Sequence, residues 1–440
     1  MKRLSAFAGA SALALTVAWA VPAAAQTEIH WWHAMTGGNN AVIEKLAADF
    51  NAAQKDYKVA PTFKGSYPDT LNAGIAAFRA GNAPHIMQVF EVGTATMMAA
   101  KGAVKPVQEM MKEAGEKFDP NSYLPAIVGY YSTVKGEMLS FPFNSSSTVM
   151  WYNKDAFKKA GLDPAKPPKT WPETFDYAKK LKAAGYATCG VSNAWSTWVL
   201  LEQFSAWHNV PLGTKANGLD GFETELKFNT PLHVRLLSEI VELQKDKTYD
   251  YAGRTNAGEG RFTSGECPIF LTSSAFFGNV KANAKFEFGS APMPYYADVQ
   301  GAPQNSIIGG ASLWVMGGKS KDEYKAVAKF LTFLSRPDIQ AEFHQATGYL
   351  PITLAAYELT KQSGFYDKNP GTDVSVKQMI VKTTDKSRGV RLGNFVQIRD
   401  IIDEELEDVW SGKKTAKAAL DTAVARGNDQ IVKFARTAKE

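Results

Sequence analysis

The sequence predicts an α/β protein of two lobes, each a mainly parallel sheet flanked by helices, with strands that cross between the lobes. Three observations predict this class. The 440 residues suffice for two large lobes with separate hydrophobic cores. Strand and helix patterns alternate over the first part of the chain, which is typical of a parallel sheet with crossover helices. A run of serines also interrupts a pair of apolar strands, as expected where a strand crosses a cleft.

The N-terminal elements are predicted in the order strand, helix, strand, helix, strand. Residues 28–32 and 57–63 have strand patterns, and a helix opens at Gly37 between them. The next helix ends at Gly81, because glycine readily adopts the conformation that terminates a helix. Residues 85–92 form a further buried strand, and a helix begins directly after it. This order predicts the first α/β lobe.

The stretch 139–162 is predicted to carry the chain from one lobe to the other. Its apolar halves, 139–143 and 149–152, are strands, and Asn144 and the serines at 145–147 lie between them. Buried hydroxyl groups are costly unless they have partners, so we expect them to line a cleft. From spacing alone, a surface loop between two strands is the alternative interpretation.

The remaining chain continues the same alternation. Capping boxes at Thr170 and Ser320 mark the starts of two helices. Residues 231–245 form an amphipathic helix, residues 267–271 a strand, and residues 398–406 carry the apolar stripe of a C-terminal helix. We find neither internal repeats nor a low-complexity tract after the N-terminal segment.

The first 25 residues have the pattern of a cleaved secretory signal peptide. Lys2 and Arg3 precede an apolar, alanine-rich stretch that ends in a small-residue cleavage motif at Ala25. We therefore predict cleavage after Ala25 and export to the periplasm. Loss of the two basic residues lowers the formal net charge from +5 to +3.

The charge pattern argues against a nucleic-acid partner, and the two cysteines leave open whether they form a disulfide. The weak positive charge has no dense lysine or arginine block, so we predict no nucleic-acid partner. Cys189 and Cys267 are far apart in sequence, and after export a disulfide and a pair of buried thiols are both compatible with them. Neither the cysteines nor the six scattered histidines have the spacing of metal ligands, so we predict no metal and no cofactor.

The sequence carries none of the local motifs of common enzymes. The sequence has no match to the motifs of a phosphate-binding loop, a nucleophile elbow or a metalloprotease helix. Catalytic groups can also assemble from distant residues, so this observation lowers the expectation of an enzyme without removing it.

Several longer stretches resemble a known family. They include FEVGTATMM (90–98), FNSS (143–146), TGYLPIT (347–353) and RLGNFVQIR (391–399). On these stretches the chain resembles the extracellular solute-binding proteins of ABC uptake systems, and among them those that capture glycerol 3-phosphate in the periplasm. The similarity runs over nearly all of the chain after the signal peptide.

The resemblance implies a ligand site of nine residues. Glu91 would hold the glycerol hydroxyls, Gly310 would offer its backbone amide, and the Arg399 guanidinium with neutral donors would supply what a phosphate needs. Ser66 and Ser147 depart from the family pattern, and we expect them to retune the pocket. The nine residues are Tyr67, Glu91, Ser146, Trp195, Trp198, Ser273, Gly310, Tyr349 and Arg399.

Other interpretations of these residues stay open at this point. Trp195 and Trp198 would also be compatible with simple burial in a core. Glu91 could be a surface acid, and Arg399 could form an ion pair with Asp403 on its own helix.

The resemblance also implies an architecture and partners. Lobe one would comprise residues 26–145 and 286–334, and lobe two residues 146–285 and 335–440, closing on the ligand by a hinge motion. The expected partners are sn-glycerol 3-phosphate and inner-membrane ABC permease subunits with a cytoplasmic ATPase, with the protein itself a monomer.

Four rival functions are kept beside this one. The ligand could be a glycerophosphodiester such as glycerophosphocholine, or the protein could bind a sugar or oligosaccharide for an ABC importer. The remaining rivals are a secreted phosphodiesterase and an adhesive surface protein.

Overall fold

The computed structural model describes residues 26–185 and 188–438. The predicted signal peptide, residues 1–25, lies outside these residues. The described strands are β1 (Thr27–His33), β2 (Tyr57–Phe63), β3 (Ile86–Phe90), β4 (Phe141–Ser146), β5 (Thr148–Asn153), β6 (Val191–Asn193), β7 (Ile269–Ser273), β8 (Phe288–Ala291) and β9 (Gly309–Val315).

Helices separate most of these strands, as the alternating pattern predicted. The described α-helices are α1 (Gly37–Ala53), α2 (Tyr67–Arg79), α3 (Thr94–Ala99), α4 (Val107–Glu113), α5 (Pro125–Tyr131), α6 (Lys154–Lys159), α7 (Trp171–Ala183), α8 (Gln203–Trp207), α9 (Thr214–Asn217), α10 (Pro231–Gln244), α11 (Glu259–Thr263), α12 (Phe277–Asn283), α13 (Lys321–Leu334), α14 (Pro337–Thr347), α15 (Leu354–Gln362), α16 (Phe365–Lys368), α17 (Val374–Lys377), α18 (Phe395–Trp410) and α19 (Ala416–Thr437). No helix of the described residues is both long enough and apolar enough to span a membrane.

The strands form two separate sheets, which confirms the prediction of two lobes. The first sheet has the order β2-β1-β3-β9-β4 and the second the order β6-β7-β5-β8. In the first sheet β1 is parallel to β2 and β3, whereas β9 is antiparallel to both of its neighbours. In the second sheet β5 is antiparallel to β7 and β8, and β6 and β7 are parallel neighbours.

The prediction of mainly parallel sheets is confirmed for strand direction. Four of the five strands of the first sheet and three of the four strands of the second run in the same direction, and only β9 and β5 are reversed. Parallel pairing needs a crossover connection, usually a helix, that returns the chain to the same end of its own sheet. Strands β5 and β9 instead enter their sheets from the other lobe, so this constraint does not apply to them. Their direction is set by where the chain crosses.

The predicted crossing at 139–162 is present, but its serines do not form a loop. Ser145 and Ser146 are the last residues of β4, and only Ser147 separates β4 from β5. All three serines are buried. The first strand crossing is thus nearly continuous β-structure.

Strand pairing and core packing differ from the expected lobe boundaries in two places. Strand β8 pairs with β5 in the second sheet, although residues 286–334 were expected in lobe one. Conversely, Ile339 and Phe343 belong to the same buried cluster as Trp31 of β1, although they lie within 335–440. Both differences arise because segments beside a crossing pack against the nearer core.

The capping predictions are confirmed by geometry. Thr170 accepts a hydrogen bond from the Glu173 backbone N–H, and the Glu173 carboxylate accepts one from the Thr170 N–H. Ser320 and Glu323 form the same reciprocal pair at the start of α13. These contacts satisfy N–H groups that have no partner within the helix.

The structure joins Cys189 and Cys267 in a disulfide. The two cysteines precede β6 and β7, which are parallel neighbours, and their Cα atoms are 5.0 Å apart. The sequence left a disulfide and two buried thiols open, and the structure has the disulfide.

Candidate ligand-binding site

A cavity of about 330 Å³ opens between the two sheets. This volume is near the lower end of the range of about 300–1,000 Å³ for small-molecule sites. All nine residues singled out from the sequence line its wall. The residues that follow β1 and β3 also line it, as expected in α/β folds, where ligands bind outside the carboxyl ends of strands.

Two tyrosine hydroxyls meet on one side of the cavity. The Tyr67 and Tyr349 hydroxyl oxygens are 3.2 Å apart, and the Asn144 side-chain N–H donates to the Tyr67 oxygen at 2.9 Å. Gln88 donates to the Asn144 amide oxygen, and the Ala34 backbone N–H donates to Gln88. Burial raises the pKa of both tyrosines, so the hydroxyls stay protonated and can donate to an anion.

Gly310 lies where no other residue type fits. Its φ is +90°, and an added Cβ would lie 1.9 Å from the Asn144 carbonyl oxygen. At the neighbouring Gly309 a Cβ would lie 2.4 Å from the Trp198 ring. The glycine pair therefore allows β4 and the tryptophan to approach the start of β9 closely.

Trp195 and Trp198 form an aromatic wall of the cavity, and the backbone is strained at Trp195. Trp195 has a φ of +54°, and its backbone N–H donates to the carbonyl oxygen of Thr255, which has a φ of +51°. Positive φ is costly for such residues and is concentrated at functional sites. Trp198 is almost fully buried, so this wall also belongs to the core.

Arg399 is buried in a cluster with two carboxylates. Its Nε and Nη2 groups donate to the two oxygens of Glu202 at 2.7 and 2.8 Å, and Nη2 also donates to Glu91 at 2.8 Å. The Phe395 ring lies beneath the guanidinium, 5.1 Å from its central carbon. The Nη1 group takes part in none of these three contacts.

Sequence reasoning missed Glu202. It is 2% exposed and ends the π-helical turn Trp198–Glu202, whose other members are apolar or aromatic. An acid at the end of such a run was the available signal, because buried carboxylates need a partner.

The cluster shifts the protonation of its members. Burial raises the pKa of Glu91 to about 7; the Arg399 charge opposes this shift, and Glu202 adds to it. Burial disfavours the charge on Arg399, but Glu202 and Glu91 together raise its pKa above the ordinary value. Arg399 therefore stays charged beside the two carboxyl groups.

The alternative ion pair between Arg399 and Asp403 is absent from the described residues. Asp403 instead accepts a hydrogen bond from the Thr197 hydroxyl at 2.7 Å. Burial raises its pKa to about 6. The two side chains share a helix, but Arg399 points toward Glu202.

The serines occupy two different settings. Ser146 and Ser273 line the cavity, and the Ser273 hydroxyl also accepts from the Ala275 N–H at 3.1 Å. Ser147 faces away: its hydroxyl donates to the Ser375 carbonyl and accepts from Gln378. The expectation that Ser147 retunes the pocket is therefore wrong, because alternation along the strands turns it toward the other face.

Ser66 lines the cavity, so its departure from the family pattern lies where it can affect ligand binding. Its hydroxyl donates to the Asp69 carboxylate at 2.6 Å and caps α2.

Further polar groups line the cavity that sequence reasoning did not single out. The first turn of α1 contributes Gly37, Gly38 and Asn39, and Thr36 before it makes no side-chain cap. N–H groups in a first helical turn have no partner within the helix and favour anions. Across the cavity are Asn256, Glu259, Asn279 and Asn283. Within the described residues, no group of three or more His, Cys, Asp or Glu side chains could hold a metal ion.

Comparison with curated proteins finds close relatives over nearly the whole chain. The sn-glycerol-3-phosphate-binding periplasmic protein UgpB of Salmonella typhimurium is 53% identical over 97% of this chain and 98% of the relative. The protein of the same name from Escherichia coli K12 is also 53% identical, over 98% of both chains.

Solved structures share the fold. UgpB from Mycobacterium tuberculosis in complex with glycerophosphocholine has a TM-score of 0.76 and 20% identity, covering 93% of this chain and 99% of that one. The cyclic alpha-maltosyl-1,6-maltose binding protein from Arthrobacter globiformis has a TM-score of 0.71 and 23% identity, covering 92% and 99%.

A family model described as bacterial extracellular solute-binding protein matches residues 45–372. This match covers well over half of the chain, and it agrees with the near full-length relatives. The chain belongs to the family of bacterial extracellular solute-binding proteins.

Proposed function

We propose that this protein captures sn-glycerol 3-phosphate in the periplasm and delivers it to the permease of an ABC importer with a cytoplasmic ATPase. The observation that carries the proposal is the chemistry of the cavity wall. Neutral donors and a helix N-terminus surround one part of it, and a guanidinium with two carboxylates closes another. The curated relatives that match nearly the whole chain carry the name of the same ligand.

We assign the phosphate to the neutral donors rather than to Arg399. The planar fork of Arg399 already holds Glu202, so a doubly charged phosphate would meet the carboxylates of Glu202 and Glu91 there. The tyrosine pair, Ser146, the Gly310 backbone and the first turn of α1 offer neutral donors, and among the described residues none of them hydrogen-bonds a carboxylate. This assignment revises the role of phosphate clamp expected for Arg399.

The glycerol end is then assigned to the charged cluster. A hydroxyl donates one hydrogen bond and accepts others, so it can donate to Glu91 and accept from the Nη1 group of Arg399. Trp195 and Trp198 would cover the carbon chain with an apolar surface.

We further propose that the protein binds its ligand without chemical change. Membership of a solute-binding family supports this, and the charged cluster is used for recognition in our assignment. Overnight incubation with a glycerophosphodiester should leave its mass unchanged, and accumulation of a hydrolysis product would contradict the proposal.

Calorimetric titration of refolded, ligand-free protein tests the binding. We expect sn-glycerol 3-phosphate to bind with one-to-one stoichiometry, and maltose to give no heat. Tyr349→Phe should weaken the binding about tenfold, since it removes one hydrogen bond to a charged group. Tyr324→Phe, at a half-buried tyrosine outside the cavity wall, serves as the matched control.

The sugar-binding alternative predicts the opposite pattern. If maltose or a related sugar binds and the phosphate ester does not, the proposed ligand is wrong while the family assignment stands.

A further inference from the structure

Glu259 is a carboxylate in the cavity wall without a cation. It begins α11, lines the cavity and is half-buried. No lysine, arginine or histidine in residues 26–185 or 188–438 forms an ion pair with it. Burial raises its pKa to about 7, and Asn279 is the only neighbour that opposes this shift. Glu259 is therefore not part of the charged cluster that Arg399 forms with Glu202 and Glu91.

Two asparagine side chains line the cavity together with Glu259. The Asn283 side-chain N–H donates to the Asn279 amide oxygen at 2.5 Å. The Glu259 carboxylate and the asparagine amide oxygens are all hydrogen-bond acceptors. A cluster of acceptors in a cavity is suited to a group that carries several donors and a positive charge.

Glu259 and the proposed phosphate contacts, among them Tyr349, line the same cavity. Burial raises the pKa of the Tyr349 phenol, and the Glu259 carboxylate contributes to the same shift. The loop before α11 is tied to the aromatic wall by the hydrogen bond from the Trp195 N–H to Thr255. A substituent on the phosphate therefore has Glu259 within electrostatic range.

We propose that Glu259 and Asn279 form a subsite for a primary ammonium head group esterified to the phosphate of the ligand. The protein then prefers a glycerophosphodiester with an ethanolamine head group over one with a neutral head group. The inference rests on the proposed function, since it places the phosphate beside Tyr349.

The chemistry favours a primary over a quaternary ammonium group. A primary ammonium donates three hydrogen bonds, which match carboxylate and amide oxygens. A trimethylammonium group has no N–H to donate and is recognised chiefly by aromatic faces. The groups around Glu259 are amides, so choline should bind less tightly than ethanolamine.

The test compares three ligands by calorimetry at pH 8, where Glu259 is ionised. The probes are sn-glycerol 3-phosphate, glycerophosphoethanolamine and glycerophosphoglycerol, which has a neutral head group. Wild-type protein should bind the ethanolamine diester about tenfold more tightly than the glycerol diester, equivalent to about 1.4 kcal/mol. Glu259→Gln, which keeps the side-chain volume, should abolish this preference, whereas Glu266→Gln at an exposed site should retain it.

The outcomes separate the subsite from the proposed function. Equal affinity of wild-type protein for both diesters, or an equal loss for all three ligands in Glu259→Gln, would overturn the subsite alone. Failure of wild-type protein to bind any of the three phosphate esters would overturn the proposed function and the subsite with it. Glycerophosphocholine serves as a fourth probe, and if it binds as tightly as the ethanolamine diester, recognition by N–H donors is contradicted.

Discussion

Two glutamates of the cavity region, Glu202 and Glu259, show how differently one side chain can be used in a single cleft. Glu202 is fully buried and holds both of its oxygens against the Arg399 guanidinium. Glu259 is half-buried, and among the described residues it has an amide neighbour and no cation. The first carboxylate is satisfied within the protein, whereas the second is left for a ligand.

Burial of an acid therefore does not by itself identify its role. A buried carboxylate costs several kcal/mol unless charges and hydrogen bonds compensate it. Where the protein supplies the compensation, the acid organises the site. Where it does not, the cost remains in the ligand-free state and can be relieved by a cation that binds.

Arg399→Ala should have the largest effect among the variants that test this contrast. This substitution leaves Glu91 and Glu202 without their shared cation, so we expect the free energy of unfolding to fall by about 3–5 kcal/mol. Urea denaturation measures it. Arg336→Ala, which breaks an exposed pair with Asp338, is the control and should cost less than about 1 kcal/mol. An Arg399→Ala protein as stable as the control variant would mean that the cluster does not bear on stability.

Glu202→Gln should have the next largest effect. It removes a charge-assisted pair of hydrogen bonds while keeping the side-chain volume, so we expect a loss of about 2 kcal/mol in the free energy of unfolding. The loosened Arg399 should also weaken binding of sn-glycerol 3-phosphate. Calorimetry and urea denaturation on one preparation would show whether the two losses occur together, and a fully stable variant would contradict our description of Glu202.

The same substitution at Glu259 should act in the opposite direction. At pH 8 and without ligand, Glu259→Gln removes an ionised side chain that has no cation. We expect a gain of about 1 kcal/mol in the free energy of unfolding, kept small because solvent screens the part of the side chain that is exposed. A loss comparable to that of Glu202→Gln would erase the contrast between the two acids.

The smallest effect is expected at pH 5, where the gain from Glu259→Gln should vanish. The pKa of Glu259 is raised from 4.5 to about 7 by burial, so the native protein holds the proton between these values while the unfolded chain releases it. Stability from this group therefore falls as pH rises through that window. The difference between variant and wild type should grow steadily from pH 5 to pH 8, and a difference independent of pH would show that ionisation is not its cause.

Much of the fold could be predicted because its signals are local. Strand periodicity placed β1 and β2 within two residues of their observed ends, and the pairs Thr170–Glu173 and Ser320–Glu323 marked helix starts through contacts three residues apart. The direction of β5 and β9 could not be predicted, because it depends on which lobe the chain has just left.

The residues in the wall of the site were predicted through family resemblance, and their partners were not. All nine line one cavity, yet Glu202 and Glu259 were overlooked. Neither acid stands in a recognised motif, and the role of each depends on a partner distant in sequence. Arg399 lies 197 residues from Glu202 and 308 from Glu91, a separation that no local pattern spans.

Local sequence patterns suffice to predict the two α/β lobes, the helix caps and the set of residues that can contact a small ligand, because propensity, periodicity and motif are properties of neighbouring residues. The folded chain is needed to show which charges are paired, that Ser147 faces away from the cleft and that Glu259 has no cation beside it among the described residues. Those outcomes depend on how two lobes, built from interleaved segments, bring distant side chains within hydrogen-bonding distance.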